Sequence, residues 1–311
     1  MPIKHSHLTP TAMIILIVLC ASWGLQQVAI KIAIPGVTPI LQAGLRSVGA
    51  ALLIWGWMLV RRIPVLERDG TLWWGIGAGL LFALEFQLIY WGLEFTNASR
   101  AVIFLYLTPF IVALGAQLFL PSERLRFKQI LGMACAFAGI VVAFGESMSF
   151  PDSRMLIGDA MLVAAAVLWG ATTVLIKASP LIHSPPSKVL FYQLGVSALY
   201  LPLASLAMGE AGVIQLTPLI IGSLVYQAVW VAFITYLLWF WLIRHYPAAR
   251  LASFTFLTPL FGVAAGGWLL DEPITRALLI ALTLVALGIY LVNRAEAVPL
   301  EEVPRTPGKG A

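Results

Sequence analysis

The stretch Trp23-Gly24-Leu25-Gln26-Gln27-Val28-Ala29-Ile30-Lys31 has a second copy, Trp169-Gly170-Ala171-Thr172-Thr173-Val174-Leu175-Ile176-Lys177. Trp, Gly, Val, Ile and Lys recur at matching places inside two apolar segments. A single lysine near the end of an apolar helix reads as an anchor, its stem in the apolar layer and its ammonium in water. The same Trp-Gly-x6-Lys pattern returning at half the chain length reads as a duplicated fold.

Composition places both copies in a membrane. The chain has 311 residues, 60% of them hydrophobic and only 11% charged, against about 25% charged in a soluble domain. Its apolar stretches are long enough to cross a hydrocarbon layer of roughly 30 Å, and short connections join them. The net charge of +5 comes from basic residues in the connections, where it sets orientation and does not point to nucleic acid. Cys20 and Cys135 both fall in apolar segments, so neither a disulfide framework nor a zinc site is expected. The first apolar stretch is too long for a cleaved leader, and Trp23 and the glutamines stand where small cleavage-site residues would be needed.

Ten helical spans are expected, at roughly 12–33, 38–60, 72–94, 99–119, 128–145, 156–178, 188–208, 217–243, 250–270 and 275–293. All must be helices, because backbone polar groups in lipid have to be satisfied within the segment. Residues 1–11 form a cytoplasmic N-terminus, and the Pro-, Glu- and Gly-rich stretch 294–311 a disordered cytoplasmic tail. With an even number of spans the termini share one side. That side carries 13 of the 19 Lys and Arg and the opposite side three, which sets both termini inside. Five spans per half (12–145 and 156–293) force the second half to enter upside down, giving a 5+5 inverted-topology repeat. Leu107-Thr108-Pro109 answers Leu257-Thr258-Pro259, and Ala98-x-Arg100 answers Ala248-x-Arg250. Glu123 precedes Gly139 by 16 positions, as Glu272 precedes Gly288.

On these paired motifs the chain resembles the drug/metabolite transporter superfamily in its EamA-type branch, and within it bacterial amino-acid exporters. The resemblance covers both halves, about 12–293. It implies an all-α polytopic membrane protein of the bacterial inner membrane. Helices 1–4 and 6–9 would form a basket around a central cavity, with helices 5 and 10 peripheral and the 3–4 and 8–9 hairpins moving in alternating access. Some small relatives couple transport to a carboxylate in their first helix. Here spans 1 and 6 have no Asp or Glu apart from Asp159 near one end of span 6, so that scheme does not carry over.

Deep charges mark candidate sites, since each costs a few kcal/mol in lipid unless solvated or paired. Arg46 and Glu85 lie about 12–14 Å from the outer ends of their spans. They fit either an amino-acid headgroup site, Arg46 for the carboxylate and Glu85 for the ammonium or a coupling proton, or a structural ion pair. Gln42 is one turn before Arg46, and Tyr192 holds the matching place in the second half. Trp23, Gln27 and Lys31 share one face, as do Trp169, Thr173 and Lys177, and the functional reading turns both faces to the cavity. Pro109 and Pro259 allow mid-span kinks; with Lys31 and Lys177 they are candidate gating residues. Tyr226, Trp230, Tyr236 and Trp239 offer rings deep in span 8 for an apolar side chain. Gly75-x-Gly77-x-Gly79 and Gly262-x-x-x-Gly266 read as close helix contacts, not as nucleotide loops.

These residues point to a secondary carrier of small neutral solutes, with amino acids, aromatic ones included, as its first candidates. No cofactor or metal is expected, and lipid is its surroundings. Proton coupling and oligomeric state are left open. Phosphorylated-sugar or nucleotide-sugar exchange and drug efflux are the alternatives, the former disfavoured because span 9 has no basic group beyond Arg250 at its edge. An intramembrane enzyme is disfavoured because His5, His7, His183 and His245 all lie outside the spans and no His-Glu-x-x-His occurs. A fixed pore fits an inverted repeat less well than alternating access.

Overall fold

A computed structural model of the chain describes residues 8–65, 67, 69–92, 95–96, 98–120, 123, 125–145, 152–269 and 276–294. The tail 295–311 and Glu272 lie outside the described residues. The described residues are helical apart from their connections and one isolated bridge, Val37 to Val213. The helices are α1 Pro10–Ala33, α2 Pro39–Val60, α3 Leu72–Gly92, α4 Ala98–Leu105, α5 Thr108–Phe119, α6 Phe127–Phe144, α7 Ser153–Ala178, α8 Pro186–Ala207, α9 Pro218–Val225, α10 Tyr236–His245, α11 Ala248–Phe254, α12 Leu257–Leu269 and α13 Arg276–Arg294. Among the described residues eight helical stretches are long and apolar enough to cross a membrane. Large apolar side chains such as Leu52, Leu118, Leu199 and Leu219 stand more than half exposed around the outside, as lipid-facing positions require. The protein is an integral, polytopic, all-helical membrane protein.

Local chemistry explains the helix starts. Pro occupies the first turn of α1, α2, α5, α8 and α9, where its missing N–H costs nothing. Thr9, Asp152 and Thr217 cap α1, α7 and α9 by accepting from Ala12, Met155 and Ile220 backbone N–H groups. The two Leu-Thr-Pro motifs do more than kink a helix. Each span breaks, and Pro109 and Pro259 sit in the first turn of a new helix, α5 or α12. The connection Tyr226–Thr235 between α9 and α10 is a ten-residue π-helix, which the sequence did not foretell.

The helix contacts are paired. α6 packs on α13 and α2 on α8; α1 packs on α12 as α7 packs on α5; α3 packs on α7 as α1 packs on α9 and the π-helix. The tryptophan-glycine motif explains part of this. A Cβ on Gly24 would lie 2.6 Å from the Gly262 nitrogen, and one on Gly170 2.6 Å from Ile111 Cγ2. Each glycine lets its helix close on the helix that follows a Leu-Thr-Pro break. Gly75 and Gly79 do the same for Tyr192 and Val196 of α8. Gly24→Ala should therefore cost about 1–3 kcal/mol, because backbone cannot step aside as a side chain can. Thermal unfolding in detergent checks this against Gly77→Ala, whose Cβ would meet open space.

The core is aromatic and central. Leu16, Leu19, Trp23, Ile54, Phe82, Trp239 and Phe256 are buried in one cluster. The α1–α2 and α8–α9 connections meet at one end, where Thr38 N–H donates to the Gly212 carbonyl and Ile214 N–H to that of Gly36.

Candidate functional site

Arg46 and Glu85 both lie seven residues in from the same end of the bundle, about 10 Å along their axes. Arg46 is 1% exposed and Glu85 5%. They are not the salt bridge that one reading of the sequence anticipated. Among the described residues none of the three guanidinium nitrogens of Arg46 makes a well-formed hydrogen bond, although the Tyr236 side chain is close by, and Glu85 Oε2 makes none. Arg46 instead stacks on Phe86, its Cζ 4.1 Å from the ring centre. Glu85, Tyr90 and Tyr236 lie within its electrostatic reach.

From Phe86 an aromatic wall runs across the interior. Phe86 meets Phe82 edge-on at 4.8 Å, Phe82 meets Tyr236 at 6.0 Å, Tyr236 meets Trp23 at 6.0 Å and Trp23 meets Trp239 at 5.4 Å. Trp23 Nε1 donates to Thr235 Oγ1 at 2.9 Å, which fixes the ring. The arrangement has unmet charge at one end and ring faces at the other. It can hold a solute that carries a carboxylate and an apolar side chain.

The remaining expected site residues distribute as follows. Gln42 is buried, its amide donating to the Ile30 carbonyl at 3.4 Å while its oxygen stays unpartnered. Tyr226 and Trp230 lie beside the wall, Tyr226 packed against the same core cluster. Both bond to Ser22, through its carbonyl at 3.0 Å and its hydroxyl at 2.9 Å, and fasten α1 to the π-helix. Trp169 stands 6.2 Å edge-on to Tyr106, and Thr173 hydrogen-bonds back to the Trp169 carbonyl. The side chains of Gln27 and Lys31 lie outside those described.

Tyr192, expected at the place matching Arg46, packs against α3. Its ring lies on Gly75, and its hydroxyl donates to the Val65 carbonyl and meets Thr71. Pro39 and Pro186 open α2 and α8. Arg62 and Gly209 close them in the same left-handed turn, with φ of 53° and 71°. In each turn the next residue's N–H reaches back five positions, Ile63 to Met58 and Glu210 to Ser205. Counted from those ends, Gln193 has the position in α8 that Arg46 has in α2. Sequence reasoning missed Gln193, Ser197, Tyr90 and Gln227, which are all buried with polar atoms unpartnered. The signal was available as isolated polar residues on otherwise apolar helices.

Lys177 has a partner that the sequence did not reveal. Its ammonium donates to Glu123 Oε1 at 2.6 Å and to the Tyr246 carbonyl at 2.7 Å, and Glu123 Oε2 accepts from Ala248 N–H at 2.8 Å. The cluster ties the end of α7 to the α5–α6 and α10–α11 connections.

Two acids brace the α2–α8 pair. Glu210 accepts from the Ile40 and Leu41 N–H groups and from Thr38 and Ser205, capping α2. Asp69 holds Lys188 of α8 at 2.6 Å. The hydrogen bond from Lys188, then that from the Thr71 hydroxyl, holds the Asp69 carboxyl down at about 2, against an unfolded value of about 3.9. A lowered folded pKa gives stability that is complete above the unfolded value and is lost as pH falls through the folded one. Asp69→Asn should therefore lower the melting temperature at pH 7, and its difference from the parent should vanish as pH falls from about 4 to 2. Melting curves across that range check it.

The sequence profile of the EamA-like transporter family matches residues 10–145 and 156–294. A protein of Salmonella typhimurium named a probable amino-acid metabolite efflux pump is 30% identical over 281 residues, 86% of this chain and 90% of that one. An uncharacterised transporter of Bacillus subtilis is 29% identical over 289 residues, 92% of each chain. One solved crystal structure superposes with a TM-score of 0.78 at 20% identity, over 91% of this chain and 98% of the other. That likeness is one of fold. With a profile match across both halves and a transporter-like helical architecture, the chain belongs to the EamA-like transporter family, within the drug/metabolite transporter superfamily.

Proposed function

We propose that the protein exports small neutral amino acids, aromatic ones included, by alternating access around the Arg46–Trp239 interior. The observation that carries this reading is Arg46, a buried guanidinium whose nitrogens make no well-formed hydrogen bond among the described residues, beside Glu85 and one end of an aromatic wall. A zwitterion supplies what those groups lack: a carboxylate for the fork of Arg46 and an ammonium for Glu85. Its side chain lies along Phe82, Tyr236, Trp23 and Trp239 and gains by burial. The Salmonella relative, named a probable amino-acid metabolite efflux pump, supports the same substrate class.

Ten spans belong to this reading: the eight long apolar stretches, the broken α11–α12 pair and α13. Residues 12–145 and 156–293 are the two halves, inverted relative to one another, with both termini in the cytoplasm and the chain in a bacterial inner membrane. Support comes from the exchanged helix pairings, the matched turns at Arg62 and Gly209, and the Gly24 and Gly170 contacts. The Lys177–Glu123 cluster closes one end of the cavity, and the breaks at Pro109 and Pro259 let α4 and α11 swing relative to α5 and α12.

Purified protein in liposomes tests the function. Saturable uptake of labelled Phe, Thr or Met, accelerated by unlabelled solute inside and independent of nucleotide, is expected. Flux that never saturates contradicts a carrier, and saturable flux of sugars or drugs alone contradicts the substrate class.

A further inference from the structure

Gln193 and Ser197 of α8 are 1% and 0% exposed, and among the described residues neither amide atom of Gln193 nor Ser197 Oγ has a hydrogen-bond partner. Four residues apart, they share one face of the helix. That face differs from the one Tyr192 and Val196 press onto Gly75 and Gly79 of α3. Tyr200, four residues beyond Val196, continues that α3-facing side: its hydroxyl donates to Gln87 of α3, and it packs on the same small cluster as Phe86. Phe86 is the ring on which Arg46 lies. The Gln193–Ser197 face adjoins that side, one residue round the helix.

The depth follows from the packing of α2 on α8. The two run antiparallel, with Gly44 against Pro202. Counting back along α8, Ser197 stands about 4.5 Å and Gln193 about 10 Å further along the axis than Arg46. That offset is on the scale of an amino acid measured from its carboxylate to the far end of its side chain. Gly49 at the same level as Ser197 faces Ala228 of the π-helix. The neighbouring Gln227 is fully buried with its amide oxygen unpartnered. The matched ends of α2 and α8 also give Gln193 the position in α8 that Arg46 has in α2.

We infer that Gln193 and Ser197 form a second polar subsite that reads the far end of the solute bound at Arg46. The chemical class it selects is a neutral amino acid whose side chain ends in a hydrogen-bonding group, a hydroxyl or an amide. The inference rests on the carrier reading above. Its physical basis is an asymmetry: buried polar groups left unpaired penalise a solute that lacks the matching group more than the bond itself rewards one that has it. The penalty is on the order of tenfold or more in apparent affinity.

Competition in proteoliposomes tests it with matched pairs, tyrosine against phenylalanine and glutamine against leucine, each inhibiting counterflow of a labelled neutral amino acid. In the parent protein the hydrogen-bonding member of each pair should inhibit at least tenfold more strongly. In Gln193→Met with Ser197→Ala that ratio should fall to within about twofold. Equal inhibition by both members in the parent protein overturns the subsite while leaving the carrier intact, and needs no variant. A ratio that survives the double substitution also overturns it. Absence of counterflow for every amino acid overturns the carrier reading, and the subsite with it.

Discussion

Arg46→Ala is expected to abolish saturable exchange of neutral amino acids while leaving the protein as stable as the parent, or more stable. Truncating a buried group that takes a solute's charge costs about 2–5 kcal/mol of binding, or roughly 30- to several-thousandfold in apparent affinity. Stability should hold because the guanidinium gives up no well-formed hydrogen bond among the described residues, only its stacking on Phe86. Its burial is a cost to folding that alanine removes. Arg46→Lys keeps the charge but loses the planar fork, so it should retain only part of the activity. Counterflow and thermal unfolding of the same preparations separate the two roles. A structural Arg46 would lower the melting temperature of Arg46→Ala and leave exchange in whatever protein stays folded.

The Lys177–Glu123 cluster should show the opposite pattern. Both side chains are 4% exposed, and their hydrogen bonds reach the Tyr246 carbonyl and Ala248 N–H. Glu123→Ala removes the carboxylate 2.6 Å from the buried ammonium and should cost about 3–5 kcal/mol. Lys177→Met strands the carboxylate and should cost a similar amount. Lys177→Met combined with Glu123→Leu should be more stable than either single variant, because an apolar pair of similar bulk replaces two desolvated charges. As a closure, the cluster also predicts that the double variant exposes the cavity from that end. A cysteine placed at Ser253, buried just beyond the cluster on α11, should react faster with an impermeant thiol reagent in the double variant than in the parent. An unchanged labelling rate would leave the cluster a structural brace.

Part of this architecture was legible in the sequence, and the reasons are local. The repeated Trp-Gly motif carries a steric requirement, close backbone approach at Gly24 and Gly170, and a steric requirement has to be written at a fixed position. Proline marked the breaks at positions 109 and 259, although a kink was expected and a new helix start was found. Low charge and long apolar runs gave the membrane, and Arg46 and Glu85 stood out against them.

What was not legible depends on distant partners. The choice of π over α hydrogen bonding in Tyr226–Thr235 has no residue signature, since the same side chains suit either. Glu123 was noticed for its spacing from Gly139, yet Lys177 lies 54 positions away, and only the fold brings them together. Tyr192 was matched to Arg46 by the spacing of the Trp-Gly motifs. One extra residue between Trp169 and Pro186, relative to Trp23 and Pro39, moves the correspondence to Gln193. A single-residue shift turns a helical side chain by about 100°, enough to exchange a packing ring for a polar group of the interior.

The central claim is that Arg46 receives the carboxylate of a transported amino acid, and counterflow with a carboxylate-free analogue tests it most directly. Proteoliposomes loaded with unlabelled phenylalanine should show a transient overshoot of labelled phenylalanine. The same vesicles loaded with phenethylamine, which keeps the ring and the ammonium, should show none. An equal overshoot with phenethylamine would contradict the account, because it would mean that the interior recognises its solute without the group for which Arg46 is proposed to be held unpaired.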